Sequence, residues 1–187
     1  ALRQLREGSP DFHGGLGTPP YDWTRVLVTT VASEANRGME GKDLAAIAGE
    51  WAMPPEEAFL RLLIEERFQV NMVLHSMCEE DVRGLLAHPL ALVISDGLAF
   101  APYGSLGRGR PHPRSYGTMP RFLARYVRDE GILPLEEGIR RVTSGPAARV
   151  GLTSRGILRE GYPADLVVFD LAALQDTATY ADPHRYP

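Results

Sequence analysis

The chain begins without a clear hydrophobic rhythm. Residues 8–22 (GSPDFHGGLGTPPYD) are crowded with Gly and Pro and read as loop. The first patterned element is the β-branched run Arg25–Val31 (RVLVTTV), which predicts a buried strand. "EANRGMEGKDL" reads as a turn into a helix. On that helix Leu44, Ile47, Ala48 and Trp51 fall at i, i+3, i+4 and i+7 and share one face. Pro54, Pro55, Glu56 and Glu57 predict the next helix start, since a first turn does not need the proline N–H and its dipole favours acids. Phe59, Leu62 and Leu63 form its core face. Gln69–Leu74 is a second strand candidate. Residues 76–89 (SMCEEDVRGLLAHP) predict a short helix, with Ser76 as cap, Glu79 at the capping-box position and Pro89 after its end. Leu90–Ile94 is a third strand, ending at Ser95-Asp96-Gly97. Strand, helices, strand, helix, strand over 25–97 argues for an α/β fold with a parallel sheet and crossover helices.

After a Gly/Pro/Arg loop, Phe122, Leu123, Tyr126 and Val127 form one helical face. Leu135, Ile139 and Val142 form another, supported by Glu136–Arg140 and Glu137–Arg141 pairs. "SGPAARVGL" reads as a short helical turn. "GILREGYPADLVVFD" reads as a hairpin, with Leu166–Phe169 its stronger strand. The tail "DTATYADPHRYP" is polar and irregular.

Several residues could carry chemistry. Asp96 follows a strand run and precedes a flexible Gly. In parallel α/β folds the functional loops leave that end of the strands, so Asp96 could act as general base or metal ligand. Asp-Gly is also a common turn pair, and spacing alone favours the turn. The 103–117 loop holds Arg108, Arg110, His112 and Arg114. Arginine forks suit carboxylate or phosphate, and a solvated loop fits the same composition. The five histidines, His13, His75, His88, His112 and His184, form no His-x-His pair, and no metal-ligand set is spaced along the chain. His75 is the best single candidate ligand among them, though a structural role suits it better. Cys78 at a helix start reads as structural. Arg121, Arg125 and Arg128 share a helix face, read as solvated or ion-paired.

The 187 residues are 44% hydrophobic and 24% charged, ordinary for a chain able to bury a core. A net charge of −4 gives no basic field for nucleic acid or an anionic membrane. The single cysteine excludes an intramolecular disulfide and fits a reducing, cytoplasmic setting.

The stretches "SMCEEDVRGLLAHPLALVISDG", "GRPHPRSYGTMPRFLARYVRDEGILPLEEGIRRVTSGPAARVGL", "RGILREGYPADLVVFD" and "DTATYADPHRYP" together resemble the C-terminal part of the N-acyl-D-amino-acid deacylases (D-aminoacylases), within the amidohydrolase superfamily. The string His112-Pro-Arg-x-Tyr-Gly-Thr-x-Pro-Arg is the most specific. The resemblance implies a zinc-carrying (β/α)₈ barrel of the TIM type with a small β-sandwich: a partial barrel in residues 1–150, and sandwich strands and tail in 151–187. It implies that Asp96 acts as general base toward a metal-bound water and then as acid toward the leaving amine, and that Arg114 holds the substrate carboxylate.

The chain departs from the family pattern at Ile94, where Gly is usual, and at Ala99, where Pro is usual. It also lacks the family's His-x-His and cysteine ligand. The resemblance therefore implies a C-terminal portion with no complete metal set, Asp96 being its one candidate ligand. Such a chain is expected to be inactive alone, and to associate with itself or pair with a missing N-terminal part. An amidohydrolase for cyclic amides and a non-catalytic fold remnant are the alternative readings.

Overall fold

The structure is a computed structural model that describes residues 2–7, 17 and 19–187. Most of the loop expected over 8–22, with His13, lies outside the described residues. The chain divides into two compact units. One comprises Ala1–Ser76, Phe100–His112 and Tyr180–His184; the other comprises Met77–Ala99, Pro113–Thr179 and Arg185–Pro187.

The first unit starts with a short helix, α1 (Leu2–Glu7), whose Arg6 pairs with Glu57 at 2.9 Å. Strand β1 (Val26–Thr30) pairs with β2 (Asn71–Leu74), Val26 lying opposite Leu74 and Val28 opposite Met72. The pairing is antiparallel, which corrects the expected parallel sheet. The reason lies in the connection. A single crossover helix returns the chain to the end where the first strand began. Here two helices intervene, α2 (Leu44–Glu50) and α3 (Pro55–Glu65), and the chain re-enters from the opposite end. The other edge of β1 is taken by its own following segment, since Val28 N–H donates to Lys42 O and Gly41 N–H to Val28 O.

Helix α2 starts where the Asp43 carboxylate accepts from Ala46 N–H. Its predicted face is inside: Leu44, Ile47 and Ala48 are buried. Helix α3 begins at Pro55 with Glu56 and Glu57 in its first turn, as the proline pair predicts, and Leu62 joins the core of Tyr21, Trp23, Val26 and Val28.

One buried charge organises this unit. Glu66, just beyond α3, accepts from Ala32 N–H and Ser33 N–H at 2.7 Å each, from Asn36 Nδ2 at 2.7 Å and from the Ser33 hydroxyl. It thereby ties the segment after β1 to the end of α3. Burial pushes its carboxyl up. The bonds from Ser33, Asn36 and Ala32 outweigh that and bring it down to about 2.

The second unit is helical: α4 (Glu79–Ala87), α5 (Arg114–Arg121), a wide π turn over Phe122–Asp129, α6 (Leu135–Val142) and α7 (Ser144–Arg149). Pro120 within α5 has no N–H to give the preceding turn. The winding then widens, so that Glu130 N–H reaches Arg125 O, five residues back. Phe122, Leu123, Tyr126 and Val127 are buried, the face expected from their spacing. Glu137 pairs with both Arg140 and Arg141, whereas Leu135 lies exposed. The Arg141 side chain is almost fully buried, and its guanidinium closes the end of α4 by donating to Leu86 O and His88 O.

Three expectations for this unit are corrected. Helix α4 is capped at Cys78 with no side-chain bond, so Ser76 and Glu79 make no capping box. Glu79 is occupied instead by Arg121, Arg125 and the Tyr126 hydroxyl. Residues 90–94 form no strand, because Val93 N–H goes to the Arg141 carbonyl at the end of α6. Residues 166–169 form no strand either; all four side chains are exposed, and among the described residues no strand pairs with them. A strand exists only with a partner for its backbone groups.

Glu66→Gln is expected to lower stability at neutral pH by about 2–3 kcal/mol, because the donors around it then face a neutral acceptor. The folded-state value lies below the ordinary 4.5. Wild type therefore keeps this contribution above that pH and loses it as pH falls toward 2. Denaturant midpoints at neutral and acidic pH should show the gap between the two proteins closing in acid.

Candidate active site

The second unit brings together the two residues singled out by the sequence. Arg114 Nη2 lies 2.9 Å from Asp96 Oδ2, and the Asp96 side chain remains 75% exposed. Local geometry explains the approach. Asp96 has φ +47, a left-handed conformation that Asp tolerates better than most non-glycine residues. Gly97 then lies against the first turn of α5, where a Cβ would stand 3.0 Å from Ser115 Cα. Its N–H donates to Ser95 Oγ at 3.2 Å, which tightens the turn. Arg114 is the first residue of α5, directly after Pro113. The 95–97 turn and the start of α5 thus bring carboxylate and guanidinium together across an open face.

The same helix turn carries a second set of contacts, from the tail. The Asp176 carboxylate sits over Gly117, where a Cβ would collide with its Oδ1, and Asp176 Oδ2 lies 3.6 Å from Arg121. Tyr186 packs edge-on against Tyr116, with ring centroids 5.3 Å apart. Thr177 Oγ1 donates to Tyr186 O at 2.7 Å. Burial pushes the Tyr116 phenol up, and Tyr186 adds to the shift. The sequence marked this tail as polar and irregular and as one of the stretches that resemble the family, with no role for its side chains. The signal it offered was two acids and two tyrosines within eleven residues, with no periodicity to place them.

The other loop residues do not join Asp96 and Arg114. In the first unit, Arg110 packs its guanidinium over Gly41 while its N–H donates to Thr29 O at 2.7 Å. That carbonyl is available because the β1–β2 register shifts between Val28 and Thr30. His112 Nε2 lies 3.1 Å from the Tyr180 hydroxyl, and the same phenol ring takes His75 edge-on at 4.7 Å. Both histidines are therefore engaged by a tyrosine. His184 Nε2 sits 3.1 Å from Gly109 O. Arg108 and Cys78 are exposed. Arg121, Arg125 and Arg128 are ion-paired, to Glu79 and Asp176, to Glu79 and Glu130, and to Asp129 respectively.

Among the described residues no group of three or more His, Cys, Asp or Glu side chains could hold a metal ion. With His75 against Tyr180 and Asp96 beside Arg114, these residues do not by themselves make a metal centre.

A carboxylate and an arginine fork on one open face suit hydrolytic chemistry on an anionic substrate. Comparison with known proteins gives the class. The profile of the Amidohydrolase family matches residues 23–186, and the chain belongs to that family. It is 40% identical over 160 residues to an N-acyl-D-aspartate deacylase of Alcaligenes xylosoxydans xylosoxydans, covering 86% of this chain and 29% of that protein. It is likewise 40% identical over 145 residues to a D-aminoacylase of the same organism, covering 78% and 28%.

Among solved structures it matches an N-acyl-D-glutamate deacylase from Bordetella bronchiseptica complexed with zinc and a phosphonate inhibitor that mimics the tetrahedral intermediate. That match has a TM-score of 0.75 at 32% identity, over 87% of this chain and 31% of the other. A D-aminoacylase said to define a novel subset of amidohydrolases matches with TM-score 0.72 at 36% identity, over 86% and 31%. The chain thus spans less than a third of the length of these relatives, and over that span it has their amidohydrolase fold.

An exposed ion pair contributes little to stability. Asp96→Asn and Arg114→Ala are each expected to shift unfolding free energy by less than about 1 kcal/mol, which chemical denaturation of the two variants checks.

Proposed function

We propose that this chain is the C-terminal portion of an N-acyl-D-amino-acid deacylase, contributing the proton-transfer group and the substrate-anion clamp and inactive without further polypeptide. The 2.9 Å juxtaposition of Asp96 and Arg114, in a chain of this family, carries the reading. The reaction adds water to the amide carbonyl carbon and breaks its C–N bond, giving a carboxylic acid and a free amino acid. Asp96 takes a proton from the attacking water and returns it to the departing nitrogen, so the carboxylate is regenerated. Arg114 presents two parallel N–H donors to the carboxylate of the amino acid. The solved relative carries zinc; in this family a metal would supply Lewis-acid polarisation, and since no group of three or more ligating side chains lies among the described residues, ligands besides the one candidate, Asp96, would have to come from elsewhere.

The same reading makes residues 1–150 a segment of a (β/α)₈ barrel and 151–187 part of a small β-sandwich. Leu166–Phe169 would then become a strand once covered, by a second copy or by the part of the relatives that this chain does not span. A cytoplasmic location goes with the single unpaired, exposed cysteine.

In protein that deacylates N-acyl-D-amino acids, Asp96→Asn should lower kcat by about 10²–10⁴. Arg114→Ala should mainly raise KM. Hydantoin turnover in place of acyl-amino-acid turnover would overturn the reading. For the isolated chain, light scattering should show association, and a monodisperse monomer with cooperative unfolding would count against the uncovered-strand proposal.

A further inference from the structure

We propose that the tail residues Asp176 and Tyr186 are positioning residues for Arg114, holding the first turn of α5 so that its guanidinium faces the Asp96 carboxylate. The proposal rests on the reading of Arg114 as the substrate-anion clamp. Three observations carry it. Asp176 lies directly on Gly117, three residues after Arg114, and no larger residue fits there without displacing it. Tyr186 packs on Tyr116, two residues after Arg114. The tail is itself closed at these two points, by Thr177 Oγ1 on Tyr186 O and by Ala178 N–H on Asp176 Oδ1 at 3.2 Å.

These tail contacts act beside the close approach of Gly97 to Ser115 at the same turn. Pro113 precedes the helix without a side-chain cap bond, and Pro120 interrupts its ladder near the other end. The ladder of α5 is thus weak at its start and at Pro120, although its backbone runs on into the π turn at Phe122. Contacts from outside then help to set the direction of its first side chain. Asp176 and Tyr186 touch α5 on consecutive residues, Gly117 and Tyr116, and leave Arg114 open toward Asp96. They need not touch substrate to matter. A clamp displaced by about an ångström loses much of its effect on a reacting group.

The test reads Arg114 directly. Phenylglyoxal modifies arginine side chains, and peptide mass spectrometry gives the rate at each one. In wild type, pairing with Asp96 should slow Arg114. Gly117→Ala, which displaces Asp176, and Tyr186→Ala should each raise the Arg114 rate about three-fold or more, toward that of Asp96→Asn. Tyr186→Phe keeps the ring contact and should restore the wild-type rate. Arg83, held by Glu130, serves as internal control and should not change. Unchanged Arg114 rates in both disrupting variants, with circular dichroism like wild type, would overturn the proposal.

Tyr186 is exposed, so its variant remains informative if Gly117→Ala does not fold. In catalytically competent protein the same two variants should raise KM for N-acetyl-D-glutamate about ten-fold and leave kcat within about two-fold. If a longer protein that contains this chain shows no deacylation, the functional reading fails while the modification rates still decide the positioning role.

Discussion

The contact of Gly97 with Ser115 is the constraint on which the site depends. It lets a turn lie on a helix with no side chain between them. A Cβ at 97 would push against backbone, which cannot swing away as a side chain can. The left-handed Asp96 beside it carries a carboxylate that lies 2.9 Å from the guanidinium of the first residue of α5. Gly117 repeats the arrangement two residues along α5, with an acid in place of backbone. Both contacts use the absence of a side chain to set the distance between charged groups. The first unit uses the opposite device, a buried carboxylate that gathers donors around itself.

The helical parts of the fold were legible because burial follows periodicity. Leu44, Ile47 and Ala48, and Phe122, Leu123, Tyr126 and Val127, were predicted as faces and are buried. Pro55 with Glu56 and Glu57 marked a helix start that the structure has. Strands were legible only where the partner lies in the described residues. Val26–Thr30 and Asn71–Leu74 have each other, while Leu90–Ile94 and Leu166–Phe169 have the composition of strands without a ladder. Sheet direction was misread although both helices between the strands were read, because the alternation was taken as a crossover without regard to their number.

The site was half legible. Asp96 and Arg114 could be named from residue type and from the likeness around Ser95-Asp96-Gly97 and His112-Pro113-Arg114. Their approach to 2.9 Å could not, since it depends on how a turn and a helix seventeen residues apart pack. Spacing also grouped Arg108, Arg110 and His112 with Arg114, although Arg110 is spent on Gly41 and Thr29, and His112 on Tyr180. Asp176 and Tyr186 had no pattern to reveal them, because irregular backbone places side chains by tertiary contact alone.

The Asp96–Arg114 pair also governs how the open face looks from a distance. Opposite charges 2.9 Å apart present a dipole to solvent, and a dipole's field fades faster than that of a lone charge. The whole chain carries −4, which repels an incoming anion if it acts at all. Capture of an anionic molecule by this face therefore cannot rely on long-range attraction. It must be won at contact, by an anion that takes over donors the aspartate was using, so the rate of encounter should depend little on salt even though the recognised group is charged.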